Sequence, residues 1–277
     1  DLRKLLTGRM DDLVGYAELK GKALDWVVRS HFGLHLKKMP DRVVITPLEV
    51  KVFFGDDFRR RVENRDFAVK KFGGNFLAKN NFLVEKNRQQ ALFCAGGVGA
   101  SAFADSAYIL CQIPQVSEVI FAGTGGGIGK MVNTADVHVP HTCKRLEKVL
   151  EILTPSEIPA KADGQLIREL LPLIKKEVQD LRINVHSGIH ATVPFVCSET
   201  RSLLLSLQRQ GVLSVDMELS VLLALADYYD KRAAGIIRIG DCPLKELMFW
   251  DSIKSKVKLK AEIHRRILYA LLKHLFD

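Results

Sequence analysis

Two apolar stretches that each run into a glycine-rich turn constrain the fold of this chain most. Residues 91–95 lead into Gly96, Gly97 and Gly99, and residues 119–122 lead into a run of glycines at positions 123–129. A helix of small residues is predicted directly after the first turn. Strands that alternate with glycine turns and helices are typical of βαβ units, which build a mostly parallel sheet. The sequence therefore predicts an α/β fold.

The hydrophobic periodicity extends this pattern along the chain. We predict strands at 43–45, 76–85, 90–94, 119–122, 135–139, 183–189 and 234–241. We predict helices at 48–54, 100–110, 144–153, 164–181, 199–210 and 252–276, and an apolar helix within 211–227. We expect a single three-layer α/β/α domain around a mixed, mostly parallel sheet at 41–277, preceded by a helical N-terminal extension at 1–40.

Composition sets the class of protein. The chain has 277 residues, of which 47% are hydrophobic and 26% charged, which is enough apolar material for one large core. No apolar run approaches the roughly 20 residues of a membrane span, and no signal peptide is visible, although a start at Asp1 fits a trimmed natural start. The five cysteines form no C-x-x-C pair, so we expect no zinc site or disulfide framework and a reducing, cytoplasmic setting.

A net charge of +9 admits a nucleic acid or a phosphorylated small molecule as partner. Much of this charge lies at 59–61 and 254–260, where solvated helix faces are an equal explanation. We therefore expect a small-molecule substrate and no nucleic acid partner.

Neither glycine turn completes a nucleotide-binding motif. Gly97 begins a G-x-G-x-x-A pattern, but Glu118 precedes the next strand, whereas a dinucleotide site needs an acid after it. The second turn has Thr124 and Met131 where a P-loop needs Gly and Ser or Thr. We predict no cofactor. The turns still offer backbone N–H groups, and Thr124 a hydroxyl, to an anion or a hydroxylated ligand. The alternative is that the glycines serve only tight turns and close packing.

Several polar and aromatic residues follow or flank the carboxyl ends of the predicted strands. In open parallel sheets that edge binds ligands. The candidates are Glu49, Thr124, Phe195, Glu218 and Asp241. The eight histidines include two i, i+4 pairs, but neither pair has the further ligand that a zinc site needs, so we predict no metal.

Glu218 stands before an apolar helical run, and its role has two interpretations. In one, Asp216 is the N-cap and Glu218 is a first-turn acid favoured by the helix dipole. In the other, Glu218 faces a ligand, because a carboxylate in an apolar wall needs a partner.

Three segments, 119–128, 215–218 and 236–241, resemble the nucleoside phosphorylase and nucleosidase superfamily in order and spacing. The resemblance covers roughly residue 42 to the closing helix. It implies the α/β/α fold expected above and an enzyme that acts on purine nucleosides.

The resemblance also implies roles for individual residues. It makes Glu218 the ligand of the ribose hydroxyls and Asp241 the general acid that protonates N7 of a purine. It stacks Phe195 on the base, although core packing for Phe195 and turn capping for Asp241 are open alternatives. The other residues that it assigns to substrate binding are Gly97, Gly123, Thr124, Val196 and Met217.

The departures from the family pattern bear on the attacking group. Phosphorylases of the family carry Gly-Asp-x-x-Arg after the first strand and an Arg before the second glycine turn, and this chain has Thr-Pro-Leu-Glu49 and Phe121 there. Glu49 is similar to the water-activating Glu of methylthioadenosine/adenosylhomocysteine nucleosidase and futalosine hydrolase. The resemblance thus favours hydrolysis with Glu49 as base, although Gly240 replaces the usual Ser before the acid.

Two alternatives stay open at this point. One is a phosphate-dependent phosphorylase with an atypical phosphate site, and the other is a non-catalytic nucleoside-binding protein. The substrate is expected to be a purine nucleoside or nucleotide, and the resemblance implies self-association as a dimer or hexamer.

Overall fold

The computed structural model describes residues 20–73, 80–245 and 257–277. These residues form one mixed sheet with helices on both of its faces, which confirms the α/β fold class. The predicted segments 1–19, 76–79 and 252–256 lie outside the described residues. No helix in the described ranges is both long and apolar enough to cross a membrane.

The elements are numbered in chain order. The strands are β1 Arg42–Thr46, β2 Ala68–Phe72, β3 Asn81–Lys86, β4 Gln89–Ala95, β5 Glu118–Gly127, β6 Val137–His138, β7 Thr142–Arg145, β8 Ala160–Lys161, β9 Val185–His186, β10 Ile189–Thr192, β11 Val212–Asp216 and β12 Arg232–Asp241. The helices are α1 Gly21–Phe32, α2 Val50–Phe54, α3 Phe58–Glu63, α4 Ala100–Gln112, α5 Gly164–Val178, α6 Arg201–Arg209, α7 Leu219–Tyr228 and α8 Val257–Phe276.

Strand β5 is the centre of the sheet. The order is β2-β3-β4-β1-β5-β11-β10-β7-β8, and β12 also pairs with β5. Strands β4, β1, β5 and β12 run parallel to one another. Strand β11 is antiparallel to β5 and pairs only with its last two residues, Gly126 and Gly127. Because β11 runs back along β5, its carboxyl end lies beside the carboxyl-terminal half of β5.

Each face of the sheet carries its own hydrophobic core. Helices α1, α4 and α7 cover one face, where they bury side chains such as Phe32, Phe103 and Leu222. Helices α2, α3, α5 and α8 cover the other face with side chains such as Phe53 and Leu271. The nearly continuous apolar sequence of α7 is explained by this position, because the helix is buried on all sides.

The glycine run after residue 122 is strand rather than turn as far as Gly127, so that part of the predicted glycine loop is wrong. Close packing is the reason. A Cβ atom on Gly123 would lie 2.3 Å from the Phe121 ring, and one on Gly125 would lie 2.3 Å from the Val215 carbonyl oxygen. Gly125 lets both neighbouring strands approach β5, because its Cβ would also lie 3.1 Å from the Ile237 side chain of β12.

Two further predictions about local structure are wrong. The predicted helix at 144–153 is strand β7 up to Arg145, followed by turns, because Lys144 and Arg145 pair with β10. The region 212–216, placed within a helical stretch, is strand β11. The apolar run of α7 had obscured the short strand that precedes it.

The start of α2 also differs from the prediction. The helix begins at Val50 with Glu49 at the N-cap position, and not at residue 48. The Thr46 hydroxyl donates to the carbonyl oxygen of Leu48 at 2.5 Å. Thr46 belongs to β1.

Helix α1 is the described part of the N-terminal segment. Its residues Leu24, Val27, Val28 and Phe32 are buried in the same core as α4 and α7. The helix therefore packs on the sheet domain itself. The boundary at residue 40 stays a prediction.

The packing at Gly125 generates a test. We expect Gly125→Ala to lower the free energy of unfolding by roughly 1–3 kcal/mol, because the new methyl meets the backbone of β11 and one strand must shift. Gly240→Ala is the matched control, since its Cβ would meet no atom closer than 3.6 Å. Urea denaturation of both variants measures the difference, and equal stabilities would contradict the close-packing explanation.

Candidate functional site

Glu218 is a buried carboxylate at the point where β11 passes into α7. Its side chain is joined to the glycine turn after β4, since Oε1 accepts a hydrogen bond from the Gly99 N–H at 2.6 Å. Oε2 lies 3.3 Å from the Met217 N–H. The residue is only 3% exposed and stands at the N-cap position of α7. Its side chain thus turns away from its own helix toward the β4 edge.

The electrostatic setting of Glu218 favours its protonated form. Burial raises the pKa of this carboxyl well above its usual range, and the nearby Asp216 raises it further. The two backbone N–H groups oppose that shift but do not cancel it. A ligand that donates hydrogen bonds to Glu218 would therefore favour its ionisation.

Asp216 connects the ends of β10 and β11 with the first turn of α7. Its Oδ2 accepts the Leu219 N–H at 2.9 Å, but Asp216 ends β11 and Glu218 holds the N-cap position of α7, so the prediction of Asp216 as N-cap and Glu218 as first-turn acid is wrong. Its Oδ1 accepts the Thr192 hydroxyl at 2.6 Å and lies 2.9 Å from His190 Nε2. The last residues of β10 and β11 are thereby tied to one carboxylate.

A buried polar chain continues from Asp216 into the sheet. His190 Nδ1 lies 2.8 Å and His138 Nδ1 2.7 Å from the Ser214 hydroxyl oxygen. That hydroxyl has one proton, so it donates to one imidazole and accepts from the other. Burial lowers the pKa of His138 well below its usual range, which favours a neutral imidazole at this position.

Asp241 ends β12 on the other side of β5. A Cβ atom on Gly126 would lie 3.6 Å from Asp241 Oδ1, so this carboxylate stands directly beside the central strand. It also acts on Glu199, in the loop after β10. Burial raises the pKa of Glu199 to about 7, with further contributions from Asp241 and Asp216. The edge thus gathers acids from three segments of the chain.

Arg238 is a cation inside the same strand as Asp241. It is 8% exposed and pairs in register with Thr124 of β5. Its Nε donates to His264 Nε2 at 2.5 Å, and its Nη1 donates to the Ile239 carbonyl oxygen at 3.3 Å. Burial lowers the pKa of Arg238 to about 10.

The remaining predicted residues occupy the same edge with fewer contacts. Glu49 is half-buried, and its Oε2 accepts the side-chain N–H of Asn80 at 2.7 Å. Among described residues, no hydrogen bond joins Glu49 to Glu218. Phe195 is 57% and Val196 63% exposed, so the core-packing alternative for Phe195 is wrong.

Gly97, Gly123 and Met217 differ in the groups that they offer to a ligand. Gly97 has a φ of 103°, and a Cβ there would lie 3.0 Å from the Ala102 carbonyl oxygen, so the turn requires glycine. Gly123 faces the Phe121 ring and offers only its backbone to a ligand. Met217 is half-buried beside Glu218. The structure therefore brings Gly97, Met217 and Glu218 together, and it sets Thr124 and Asp241 on β5 and β12.

Sequence reasoning missed Glu199, Arg238 and the roles of His138 and His190. Arg238 did leave a signal, because a charge between isoleucines in a buried strand needs a partner. Glu199 left none, since an acid near a helix start is commonplace. Within the described ranges, no group of three or more His, Cys, Asp or Glu residues is placed to hold a metal ion.

The chain is similar to known proteins in sequence and in fold. A family model described as "Phosphorylase superfamily" matches residues 52–273. Among curated proteins, no sequence matches. Uridine phosphorylase from Vibrio fischeri ES114, complexed with 6-hydroxy-1-naphthoic acid, is 18% identical with a TM-score of 0.69, over 88% of this chain and 96% of that chain. Purine nucleoside phosphorylase from Toxoplasma gondii, in complex with immucillin-H, is 20% identical with a TM-score of 0.72, over 93% and 97%. These solved structures share the fold.

The buried histidines generate a prediction about pH. Burial and the neighbouring Arg238 lower the pKa of His264 to about 3 in the folded chain, whereas the unfolded value is 6.5. Below pH 6.5 the imidazole of His264 takes up a proton in the unfolded chain but not in the folded chain, so the free energy of unfolding falls as pH falls. His264 alone changes the free energy of unfolding by about 1.4 kcal/mol per pH unit.

Denaturation midpoints between pH 7 and pH 4 would measure this slope. We expect His264→Gln to flatten it, and the exposed His141→Gln serves as the control that leaves it unchanged. An identical slope in wild type and His264→Gln would contradict the assignment.

Proposed function

The chain belongs to the phosphorylase superfamily, and from this premise we propose that it cleaves the N-glycosidic bond of a purine nucleoside or nucleotide. The family resemblance drawn from the sequence is thereby confirmed, while the reaction and the substrate are our proposal. One observation carries it: the buried Glu218 carboxyl lies at the sheet edge with a raised pKa and unused acceptor capacity.

In this proposal Glu218 binds the ribose hydroxyls. Each hydroxyl donates a hydrogen bond to a carboxylate oxygen that already receives one backbone N–H. Such charge-assisted bonds in a water-poor site are strong. The negative charge also stabilises the positive charge that develops on the sugar as the glycosidic bond breaks.

Asp241 is proposed as the general acid for the leaving base. Its charge helps to raise the pKa of Glu199 to about 7, so a second acid that can carry a proton stands near it. The exposed apolar side chains of Phe195 and Val196 supply a surface on which a purine can stack.

Water is the proposed attacking group, with Glu49 as its base. Glu49 begins α2 just past the carboxyl end of β1, and its hydrogen bond with Asn80 fixes one carboxylate oxygen. The other oxygen remains for a water. Hydrolysis therefore needs no cation on this side of the sugar.

Phosphorolysis is the second candidate. Both solved structures described above are named as phosphorylases. The buried cation of Arg238 beside Thr124 favours it within this chain, since a phosphate nucleophile requires positive charge. Self-association as a dimer or hexamer is proposed for either reaction, and sedimentation velocity tests it.

The assay that separates the candidates uses purine nucleosides and their 5′-monophosphates, with and without orthophosphate. We expect free base and free ribose, or ribose phosphate from nucleotides, without orthophosphate. Strict dependence on orthophosphate, with ribose 1-phosphate as product, would replace hydrolysis by phosphorolysis. A folded protein that releases base from none of them would be a binding protein.

Three substitutions test the assigned roles. We expect Glu218→Gln, Asp241→Asn and Glu49→Gln each to lower kcat/KM by about 10²–10⁴-fold, because each removes a charge or a proton-transfer group at the sugar. Glu63→Gln, an acid of α3 that pairs with Arg59 at the surface, is the matched control. Full hydrolysis by Glu49→Gln would remove Glu49 as the base.

A further inference from the structure

We propose that a groove between α3 and α8 binds a di- or triphosphate chain, either as inorganic polyphosphate or as part of a nucleoside triphosphate. The groove has a volume of about 600 Å³, and its walls are α8 and α3 with the turn that follows α3. The described residues that line the groove differ from those of the nucleoside site proposed above. The inference therefore does not rest on the proposed reaction.

Arginines dominate the charged lining of this groove. Its charged members are four arginines and two acids: Arg60, Arg61, Arg65, Arg265, Asp57 and Glu262. Positive charge therefore exceeds negative charge inside the groove. A cleft lined mainly by one sign of charge concentrates ligands of the opposite sign. The basic run at 59–61 is thus only in part a solvated helix face.

The surplus of positive charge lies on the α3 wall. Asp57 is shared, because its Oδ1 lies 2.6 Å from Arg61 Nε and its Oδ2 lies 3.3 Å from Arg60 Nη2. One carboxylate thus serves two guanidinium groups. Arg65 adds a third, and its side chain makes no ion pair or hydrogen bond with any described residue. An anionic ligand would compensate the charges that Asp57 leaves unbalanced.

Tyr269 orients Arg65 without neutralising it. The guanidinium carbon of Arg65 lies 3.5 Å from the centroid of the Tyr269 ring, which is a close cation–π contact. The guanidinium carbon of Arg265 lies 5.8 Å from the same centroid. An aromatic ring attracts a cation through its π electrons and adds no negative charge. Each wall therefore holds one guanidinium group beside the same ring.

The α8 wall is closer to neutral and supplies hydrogen-bond donors. Glu262 pairs with Arg265, and its Oε1 also lies 2.7 Å from Arg266 Nε. Arg266 has a second acid, Asp180, at 2.8 Å. Glu262 therefore compensates Arg265, whose remaining N–H groups can bind a further anion. An extended anion that crosses the groove would contact both walls.

The chemistry of the lining selects a chain of phosphates. Guanidinium groups match the paired oxygens of a phosphate in a planar, bidentate geometry. The unbalanced charges on the α3 wall call for a ligand with at least two negative charges, and the separation of the walls calls for an extended one. A di- or triphosphate chain meets both requirements. The guanidinium of the exposed Arg65 can also stack on a nucleobase, as a nucleoside triphosphate would require.

Calorimetric titration of the wild-type chain and three variants tests the groove. Sodium tripolyphosphate, pyrophosphate, orthophosphate and ATP are titrated into wild type, R65Q, R265Q and R59Q. R59Q is the matched control, because Arg59 lies on the same helix outside the groove and pairs with Glu63 at 2.7 Å. We expect R65Q and R265Q each to weaken tripolyphosphate binding at least tenfold, and R59Q to match wild type. We expect orthophosphate to bind at least tenfold more weakly than tripolyphosphate, because it cannot reach both walls.

Three results would overturn the inference. The first is absence of tripolyphosphate binding by the wild-type chain. The second is an equal loss in R59Q and R65Q, which would show a general attraction to a basic protein. The third is orthophosphate binding as tight as that of tripolyphosphate. If R265Q does not fold, R65Q and R65K decide, since Arg65 is exposed and R65K keeps the charge but loses the planar fork. We expect R65K to bind tripolyphosphate with an affinity between those of wild type and R65Q.

The remaining arms distinguish the source of the phosphate chain and separate the two proposals. An affinity for ATP that exceeds the affinity for tripolyphosphate and falls in R65Q identifies a nucleoside triphosphate as the ligand. Equal affinities identify the phosphate chain alone. Base release from nucleosides is measured in parallel. Base release without tripolyphosphate binding overturns the groove alone, whereas tripolyphosphate binding without base release overturns the proposed enzyme activity alone.

Discussion

The close approach of β11 to β5 is the contact on which the candidate site depends. It is made at Gly125, where even one methyl group would collide with the Val215 carbonyl oxygen. Because β11 runs antiparallel to β5 and meets only its end, Asp216 and Glu218 arrive at the edge where the parallel strands β1, β4 and β12 also end. An all-parallel sheet would need a further crossover to bring these acids there.

Asp216 and Glu218 are both buried at this edge but have different partners. Asp216 receives hydrogen bonds from a backbone N–H and a hydroxyl and has a buried imidazole beside it. Glu218 is as deeply buried and also receives two hydrogen bonds, but burial and the neighbouring Asp216 raise its pKa. A buried carboxyl group with a raised pKa at a sheet edge is a candidate for a binding or proton-transfer role. Behind Asp216, the buried side chains of His190, Ser214 and His138 lie in contact with one another.

Much of the fold could be predicted from sequence, because many of its strands and helices show as apolar runs or as periodic apolar residues in the local sequence. Strands β1, β4, β5 and β12 and helices α4 and α5 follow from periodicity and flanking turns. The short strand β11 could not be separated from the apolar helix after it, and β7 carries charged residues that suggest a helix. That Glu218 and Asp241 lie at one edge could be predicted, because the carboxyl ends of parallel strands meet at the same edge of a sheet. The roles of Arg238, Glu199 and the two histidines could not be predicted, because they depend on contacts between distant segments of the chain.

The hydrogen bond between Gly99 and Glu218 has a consequence for the choice of sugar. One oxygen of this carboxylate is already engaged at 2.6 Å by the turn that begins α4. In the proposed complex the remaining lone pairs are matched by the two hydroxyls of a ribose. A 2′-deoxyribose would leave one of them buried and unpaired, and sites built to hydrogen-bond a hydroxyl discriminate strongly against analogues that lack it. The same turn that closes the sheet edge would thus separate ribonucleosides from deoxyribonucleosides.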